Sequence, residues 1–271
     1  MMKFLTAMLL MLLVIPAGAA ERLLLGVNTG VPAQDDQRDI SDKYKPLANY
    51  LGTMLKRPVK LEVSQNLSAS ERRLKKDAFD VFLGPPQVIA QAMKGSGYVP
   101  IARYPGKLKA AFVVMDTSNI KNLSDAKGRR LGLPDKESLA SNLALAKLRF
   151  SRMTPETHFA EIFHQRFQDA TLNALLIGRV DVAAVTAGFA KKWVGEHPGA
   201  RVIEESYEVP HFAFAVSEDM SEADAMQIRQ VLLDAPNTVE GRAMLGKMGH
   251  KDGFIPTSKD DYSPLIRLFG L

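Results

Sequence analysis

The spacing of apolar and polar positions along the chain predicts strands and helices in alternation. Residues 23–27, 79–83 and 98–103 are short apolar runs, and residues 59–63 alternate apolar with polar side chains. Both patterns are typical of strands. Helical or polar segments separate them, and a β-α-β-α-β order of this kind predicts a parallel sheet with helices on both faces.

Helices are predicted where apolar residues recur every three or four positions. The first spans residues 44–55, and Ser41 or Asp42 is the expected cap at its start. A short charged helix is predicted over residues 71–76. The tail at residues 252–271 shows little periodicity, so no regular element is predicted there.

One strand–turn–helix pattern occurs twice. In residues 80–93 and again in residues 178–193, an Asp-Val pair opens an apolar strand, a turn of small residues follows, and a helix begins. Two copies in corresponding places predict two similar lobes. Asp80 and Asp181 stand at the strand starts, away from the turns, so a structural role such as helix capping is expected of them.

A second pair of matching patterns predicts where the chain passes between the lobes. Strands at residues 100–103 and 201–204 are each joined by a short link to an aromatic-rich strand, at residues 110–115 and 211–216. We therefore expect an α/β fold with a mostly parallel sheet flanked by helices in each lobe. The expected boundaries are residues 21–108 and 212–271 for lobe 1, and residues 109–211 for lobe 2.

The first twenty residues are typical of a signal peptide. Lys3 precedes an apolar stretch at residues 4–15, and residues 17–19 form a small-residue cleavage pattern. The apolar stretch is short for a membrane span. We expect cleavage near Ala19 and an exported, soluble mature chain in the periplasm, with an uncleaved anchor as the alternative.

Composition narrows the range of functions. The 271 residues include no Cys, which excludes thiol nucleophiles and Cys-ligated metal centres. The formal net charge of +5 comes from dispersed basic residues and is compatible with an anionic ligand, whereas nucleic-acid binding is not expected. The chain has no phosphate-binding glycine loop, nucleophile elbow or paired-His zinc motif, so we predict no cofactor, metal or catalytic residue.

Ligands of open α/β sheets bind beyond the carboxyl ends of the parallel strands. Here those ends are the loops that contain Asn28, Asn66, Gly84, residues 134–138 and Thr186. Several precede helices, whose first N–H groups carry partial positive charge. Two lobes that face each other in this way form a pocket suited to an anionic group, and ordinary α/β connections are the alternative.

Four longer stretches resemble one protein family. They are YKPLANYL at residues 44–51, DVFLGP at 80–85, NLSDAKGRRL at 122–131 and DATLNALLIGRVDVAAV at 169–185. Together they are similar to the phosphonate- and phosphite-type periplasmic solute-binding proteins of ABC importers. The resemblance implies the two-lobed, hinged fold of a type II periplasmic binding protein, a ligand between the lobes, and delivery to a membrane permease without catalysis.

The ligand determinants of that family are largely replaced in this chain. The family's Ser-Thr-Ser-Gly run corresponds to Ser138-Leu139-Ala140-Ser141, which keeps fewer hydroxyl groups. Other family positions, a His, two aromatics and a Gly-Asp pair, correspond to Gln168, Leu67, Leu83 and His211-Phe212. The residues expected to contact the ligand are Asn28, Asn66, Leu67, Gly84, Pro85, Pro86, Gln87, Ser138, Leu139, Gln168, Thr186 and His211.

Each group of these residues has an expected role. Ser138 offers a hydroxyl and the helix start behind it, residues 84–87 offer backbone N–H groups from the opposite lobe, and Asn66, Gln168 and Thr186 read polar groups. The expected partners of this monomer are a small anionic ligand and the permease of an ABC importer. Two alternatives remain open: a protein that presents its state to a membrane sensor such as a sensor kinase, or an exported hydrolase.

Overall fold

The computed structural model describes residues 21–30, 37–64 and 66–271, and the expected signal peptide lies outside them. The strands are β1 (Leu23–Asn28), β2 (Val59–Ser64), β3 (Val81–Gly84), β4 (Val99–Arg103), β5 (Lys107–Leu108), β6 (Ala110–Met115), β7 (Arg130–Leu133), β8 (Glu161–His164), β9 (Val182–Thr186), β10 (Ala200–Glu205), β11 (Val209–Pro210), β12 (Ala213–Val216) and β13 (Ile255–Pro256).

The helices alternate with these strands, as the apolar spacing predicts. They are α1 (Gln37–Leu55), α2 (Leu67–Leu74), α3 (Pro86–Ser96), α4 (Leu139–Phe150), α5 (Pro155–His158), α6 (Gln168–Leu176), α7 (Ala187–Glu196), α8 (Glu222–Asp234), α9 (Val239–Met248) and α10 (Lys259–Phe269). Within the described part of the chain, none of the helices has the length and apolar character that a membrane crossing requires.

Two sheets share one strand plan. Their orders are β13-β4-β12-β3-β1-β2 and β10-β6-β9-β7-β8. In the first, β3, β1 and β2 are parallel and β12 is antiparallel to β3 and β4. In the second, β9, β7 and β8 are parallel and β6 is antiparallel to β9 and β10. The prediction of two similar lobes, each a mostly parallel sheet flanked by helices, is confirmed.

One detail of the sheet prediction was wrong. We expected β4 to continue the parallel sheet directly after β3, but β12 lies between them. The inserted strand comes from the returning chain, more than a hundred residues later. Strand order along the sequence cannot reveal such an insertion, because the strand that fills the gap belongs to another part of the chain.

Two segments join the sheets and pair with each other. The first runs between β4 and β6, the second between β10 and β12, and within them β5 and β11 form a two-stranded antiparallel ribbon. Beside the ribbon, the Ser206 hydroxyl accepts a hydrogen bond from the amide of Ala110 at 2.8 Å. The two connections that the sequence predicts are therefore held together as one short ribbon.

Asp80 and Asp181 play the same structural role in the two lobes. The Asp80 carboxylate accepts a hydrogen bond from the Leu24 amide at 2.6 Å, and the Asp80 amide donates to the Leu24 carbonyl. Asp181 repeats both contacts with Arg130, at 2.8 Å and 2.9 Å. The two residues therefore have the structural role that was expected, but each carboxylate links the starts of two neighbouring strands and does not cap a helix.

Three helix predictions need correction. Helix α1 already includes Ser41 and Asp42, so neither is its cap. Helix α2 starts at Leu67, earlier than predicted, because the Asn66 side chain accepts from the Ala69 amide and caps it. The tail is regular: α10 opens with a capping box of Ser258 and Asp261.

Helix α10 also extends the core between the lobes. Its buried residues Tyr262, Leu265 and Phe269 recur at helical spacing and belong to the same apolar cluster as Leu143 and Leu148 of α4. The helix contacts both α3 and α4. Pro264 lies inside α10, and a proline inside a helix removes one intrahelical hydrogen bond, so the sequence signal for this helix is weak.

Candidate functional site

A cavity of about 400 Å³ lies where the two sheets face each other. Its walls come from loops beyond β1 and β7, from the end of β9, and from the connecting ribbon. The lining residues are Thr29, Gly30, Lys107, Leu108, Lys109, Leu139, Ala140, Gln168, Thr186, Ala187, Gly188 and Phe212. This is the position that the strand-end rule for open α/β sheets predicts.

Another cavity, of about 450 Å³, lies between α1 and α9. Its lining residues all belong to these two helices, among them Lys45, Tyr50 and Met244. It therefore opens on one lobe and away from the strand ends. Ligand binding there would not depend on how the lobes are arranged, so the cavity between the sheets is the better candidate.

Three helices of the second sheet begin at the candidate cavity. Leu139 and Ala140 open α4, Gln168 opens α6, and Ala187 and Gly188 open α7. First-turn N–H groups have no acceptor inside the helix and carry the positive end of its dipole. Three such ends around one cavity give it a positive potential that favours an anionic group.

Gln168 and Thr186 form a polar pair on the cavity wall. The Gln168 side-chain oxygen accepts hydrogen bonds from the Thr186 amide at 2.7 Å and from the Thr186 hydroxyl at 2.8 Å. Because the oxygen is used in this way, the orientation of the amide is fixed and its NH₂ group is a donor. Gln168 can therefore offer the N–H donors of its side chain to a ligand near the start of α7.

The two lysines of the ribbon are balanced by carboxylates. The Lys109 ammonium pairs with Glu205 and lies 3.9 Å from Glu208, and the Lys107 ammonium lies 3.4 Å from Glu208. The hydrogen bond that Lys109 donates to Glu205 raises the pKa of Lys109. Since these charges are paired, the helix starts are the main source of positive potential in the cavity.

The remaining walls are mostly apolar. Leu108, Leu139 and Phe212 contribute the large side chains. Gly30 has φ +81°, and a Cβ there would lie 2.8 Å from the Phe212 ring and 3.2 Å from Pro85. Glycine is thus required at this wall, both for its backbone conformation and for the close approach of the ring.

Of the residues predicted to contact a ligand, Leu139, Gln168 and Thr186 line the cavity. Asn28 is fully buried: its side chain donates to the Ser70 hydroxyl at 2.8 Å and accepts from the Gly30 amide at 2.7 Å. Asn28 thus fixes the loop that carries Thr29 and Gly30, and a direct contact between Asn28 and a ligand stays a prediction.

Two further predicted residues act as helix caps. Asn66 caps α2, and the Ser138 hydroxyl accepts from the Ser141 amide at 3.3 Å, which caps α4. Ser138 is only 1% exposed. Their hydrogen bonds orient the helix starts, whereas ligand contact by either side chain stays a prediction.

The expectation that residues 84–87 offer backbone N–H groups fails on chemical grounds at two positions. Pro85 and Pro86 form the start of α3, and proline has no N–H. Gly84 packs against the Phe82 ring, where a Cβ would lie 2.3 Å from a ring carbon. The Gln87 side chain donates to the Glu137 carbonyl at 3.2 Å and so reaches the opposite lobe.

Leu67 and His211 lie outside the cavity wall. Leu67 is buried in the core at the start of α2. The ring of His211, just before β12, makes an edge contact with Tyr104 at 5.4 Å, and its Nδ1 accepts from the Phe212 amide at 2.8 Å. Burial, with smaller effects of His250 and Arg103, lowers the pKa of His211 to about 4.

The residues expected to contact the ligand leave out the ribbon residues, Ala140, Gly188 and Phe212. Gly188 lies in the segment after Thr186 that the strand-end rule indicates, and Ala140 and Phe212 stand at positions that the family resemblance marks. The positions from Lys107 to Lys109 had no such signal. They reach the cavity only because the two connections pair as a ribbon next to it.

Comparisons with known proteins agree with this geometry. Residues 29–262 match the profile of the family described as ABC transporter, phosphonate, periplasmic substrate-binding protein. The match covers more than half of the chain. A search of curated protein sequences found no match.

Solved structures show the same fold at low sequence identity. XAC2383 from Xanthomonas citri bound to ATP is 18% identical, with a TM-score of 0.76 over 92% of this chain and 96% of that one. PhnD1 from Prochlorococcus marinus in complex with methylphosphonate is 18% identical, with a TM-score of 0.71 over 91% and 96%. The aliphatic sulphonate binding protein SsuA from Escherichia coli is 17% identical, with a TM-score of 0.60 over 93% and 79%.

Proposed function

The chain belongs to the periplasmic substrate-binding protein family of phosphonate ABC transporters, and from this premise we propose that it captures a small organic anion between its two lobes. Proteins of this family are the solute-binding components of importers. The ligand would carry one anionic head group and an apolar part. The protein performs no chemistry on it and delivers it to a membrane permease.

One observation carries the proposal: the cavity of about 400 Å³ combines three helix starts with apolar walls. The helix starts suit an anionic head group. By volume the cavity holds at least about a dozen water molecules, which is more than a bare oxyanion fills, and Leu108 and Phe212 suit an apolar substituent. Methylphosphonate in PhnD1 and the aliphatic sulphonates of SsuA are ligands of this class.

Lobe 1 would comprise residues 21–108 and 212–271, and lobe 2 residues 109–211. The β5–β11 ribbon would act as the hinge, with the closed form stabilised by ligand contacts to both lobes. The mature chain would be a periplasmic monomer released by cleavage near Ala19. Leu139, Gln168 and Thr186 would contact the ligand directly, while Asn28, Asn66 and Ser138 would hold the loops and helix starts around it.

A thermal-shift screen of the purified mature protein tests the proposal. The panel contains phosphate, sulfate, and alkylphosphonates and alkylsulfonates of increasing chain length. Ligands that bind the native state raise the melting temperature with concentration. We expect the organic anions to exceed the inorganic ones, and a flat response across the panel would contradict the small-anion hypothesis.

The substitution Gly188→Asp tests whether the head group lies at the helix starts. A Cβ at Gly188 meets no atom within 4 Å, and an acidic residue in the first turn of α7 is favoured by the helix dipole. A like charge about 5 Å from the ligand costs about 3 kcal/mol at an effective dielectric constant of about 20, which is more than about 100-fold in Kd.

Gly188→Asn is the matched control, because it has the same size without the charge. Isothermal titration with the best ligand of the screen should show binding by the Asn variant and little binding by the Asp variant. Equal affinities for the two variants would place the anionic head group elsewhere.

A further inference from the structure

A contact between the lobes lies beside the cavity and involves Glu137. One carboxylate oxygen of Glu137 accepts a hydrogen bond from the Ser68 amide at 3.2 Å, and the other accepts from the Ser68 hydroxyl. Ser68 is the second residue of α2, which packs on the first sheet, whereas Glu137 precedes α4 on the second. The two residues are 69 positions apart in sequence.

The contact has the geometry of a carboxylate bound at the start of a helix. Asn66 caps α2 through the Ala69 amide, so the Glu137 carboxylate satisfies a different first-turn N–H group. A negative charge at this end of a helix is stabilised by the dipole. Glu71 is a nearby charge of the same sign as Glu137. Burial and the charge of Glu137 raise the pKa of Glu71, whereas the charges of Lys75 and Arg72 lower it.

The loop around Glu137 is held in place from both lobes. The Glu137 amide donates to the Asp135 carboxylate at 2.8 Å. The Glu137 carbonyl accepts from the Gln87 side chain of α3 and from the Asn142 side chain of α4, each at 3.2 Å. Asp135 and Asn142 thus fix the backbone of Glu137 within its own lobe, while its exposed side chain still loses rotamer freedom when the contact with Ser68 forms.

We propose that Glu137 is the residue that locks the two lobes in the closed arrangement. Its bonds to Ser68 join groups of different lobes, so they exist only when the lobes are together. Glu137 also occupies the start of α2 with a charge from the chain itself. If the chain binds an anion as proposed, the charge of Glu137 excludes the head group from the start of α2 and confines it to the helix starts of lobe 2.

Single-molecule energy transfer measures the locking directly and needs no ligand. The chain has no Cys, so Lys94→Cys in α3 and Glu156→Cys in α5, both at exposed positions of different lobes, give a specifically labelled protein. We expect Glu137→Gln to lower the ratio of closed to open molecules about five-fold, because one charge-assisted helix-start contact is lost. Ser68→Ala should lower the ratio in the same direction.

Two comparisons make the result decisive. Glu196→Gln removes the same charge from an exposed position of α7 and should leave the ratio unchanged. The double variant Glu137→Gln with Ser68→Ala should be no more open than Glu137→Gln alone, since both changes break one contact. A ratio that Glu137→Gln leaves unchanged, or effects of the two changes that simply add, would overturn the proposal.

The outcome is independent of ligand identity. If the thermal-shift screen finds no ligand but Glu137→Gln opens the labelled protein, the locking contact stands and the proposed function fails. If a ligand binds and the labelled protein does not respond to Glu137→Gln, the reverse holds.

Discussion

Acidification should destabilise this protein through His211, which lies where the chain returns to the first sheet. Burial lowers the pKa of its imidazole from 6.5 to about 4. The unfolded chain therefore binds a proton to this residue over a pH range in which the folded protein does not. The contribution of neutral His211 to the free energy of unfolding is complete above about pH 6.5. It is lost as the pH falls toward about 4, because protons then favour the unfolded state.

The size of the effect follows from the two pKa values. At about pH 4.5, the difference in proton binding corresponds to about 2.5 kcal/mol of unfolding free energy. Solvent reaches part of the His211 ring, so screening reduces this figure to roughly 1–1.5 kcal/mol. His250 adds to the loss, because burial and Lys43 lower its pKa as well.

His211→Asn isolates the contribution of His211. The Asn side-chain oxygen can replace Nδ1 as the acceptor of the Phe212 amide, but it does not titrate. Urea unfolding of the wild type and the variant, each at about pH 7 and about pH 4.5, gives the two pH-dependent losses. We expect the variant to lose roughly 1–1.5 kcal/mol less than the wild type. Equal losses in the two proteins would refute the assignment.

Three further substitutions and one control test the fold and the cavity wall by urea unfolding. Gly30→Ala should lower the free energy of unfolding by about 1–3 kcal/mol, because φ is +81° and the new Cβ meets Phe212. Gly188→Ala, in open space at the start of α7, is the control and should not lower it. Leu265→Ala should cost about 2–5 kcal/mol as a buried core residue; a cost below about 1 kcal/mol would mean that α10 does not brace the core. Asp181→Asn should lower the free energy of unfolding by about 1 kcal/mol at neutral pH. This difference should vanish on acidification. The pKa of Asp181 is lowered in the folded protein, so the stabilisation by its carboxylate is lost as the pH falls through the folded value.

The candidate site could be predicted from the sequence only in part. Thr186 was found because it stands where a strand ends, and local patterns locate such points. Gln168 was found through the family resemblance, which places a ligand-binding His at its position. The ribbon lysines were missed, since their place at the cavity depends on how two distant connections pair. The role of Ser138 as a cap, rather than a free hydroxyl, depends on the Ser141 amide in the folded turn.

Local sequence patterns specify the longer strands, most of the helices and the repeated plan of the lobes. These follow from periodicity over a few residues and from a repeated Asp-Val start, which depend on backbone geometry alone. The antiparallel entry of β12 and β6 into the sheets and the packing of α10 between the lobes follow from tertiary contacts. It also brought Glu137 to Ser68 across 69 positions. Such contacts join distant parts of the chain, and what selects them is the burial and hydrogen bonding of the whole fold rather than any local pattern.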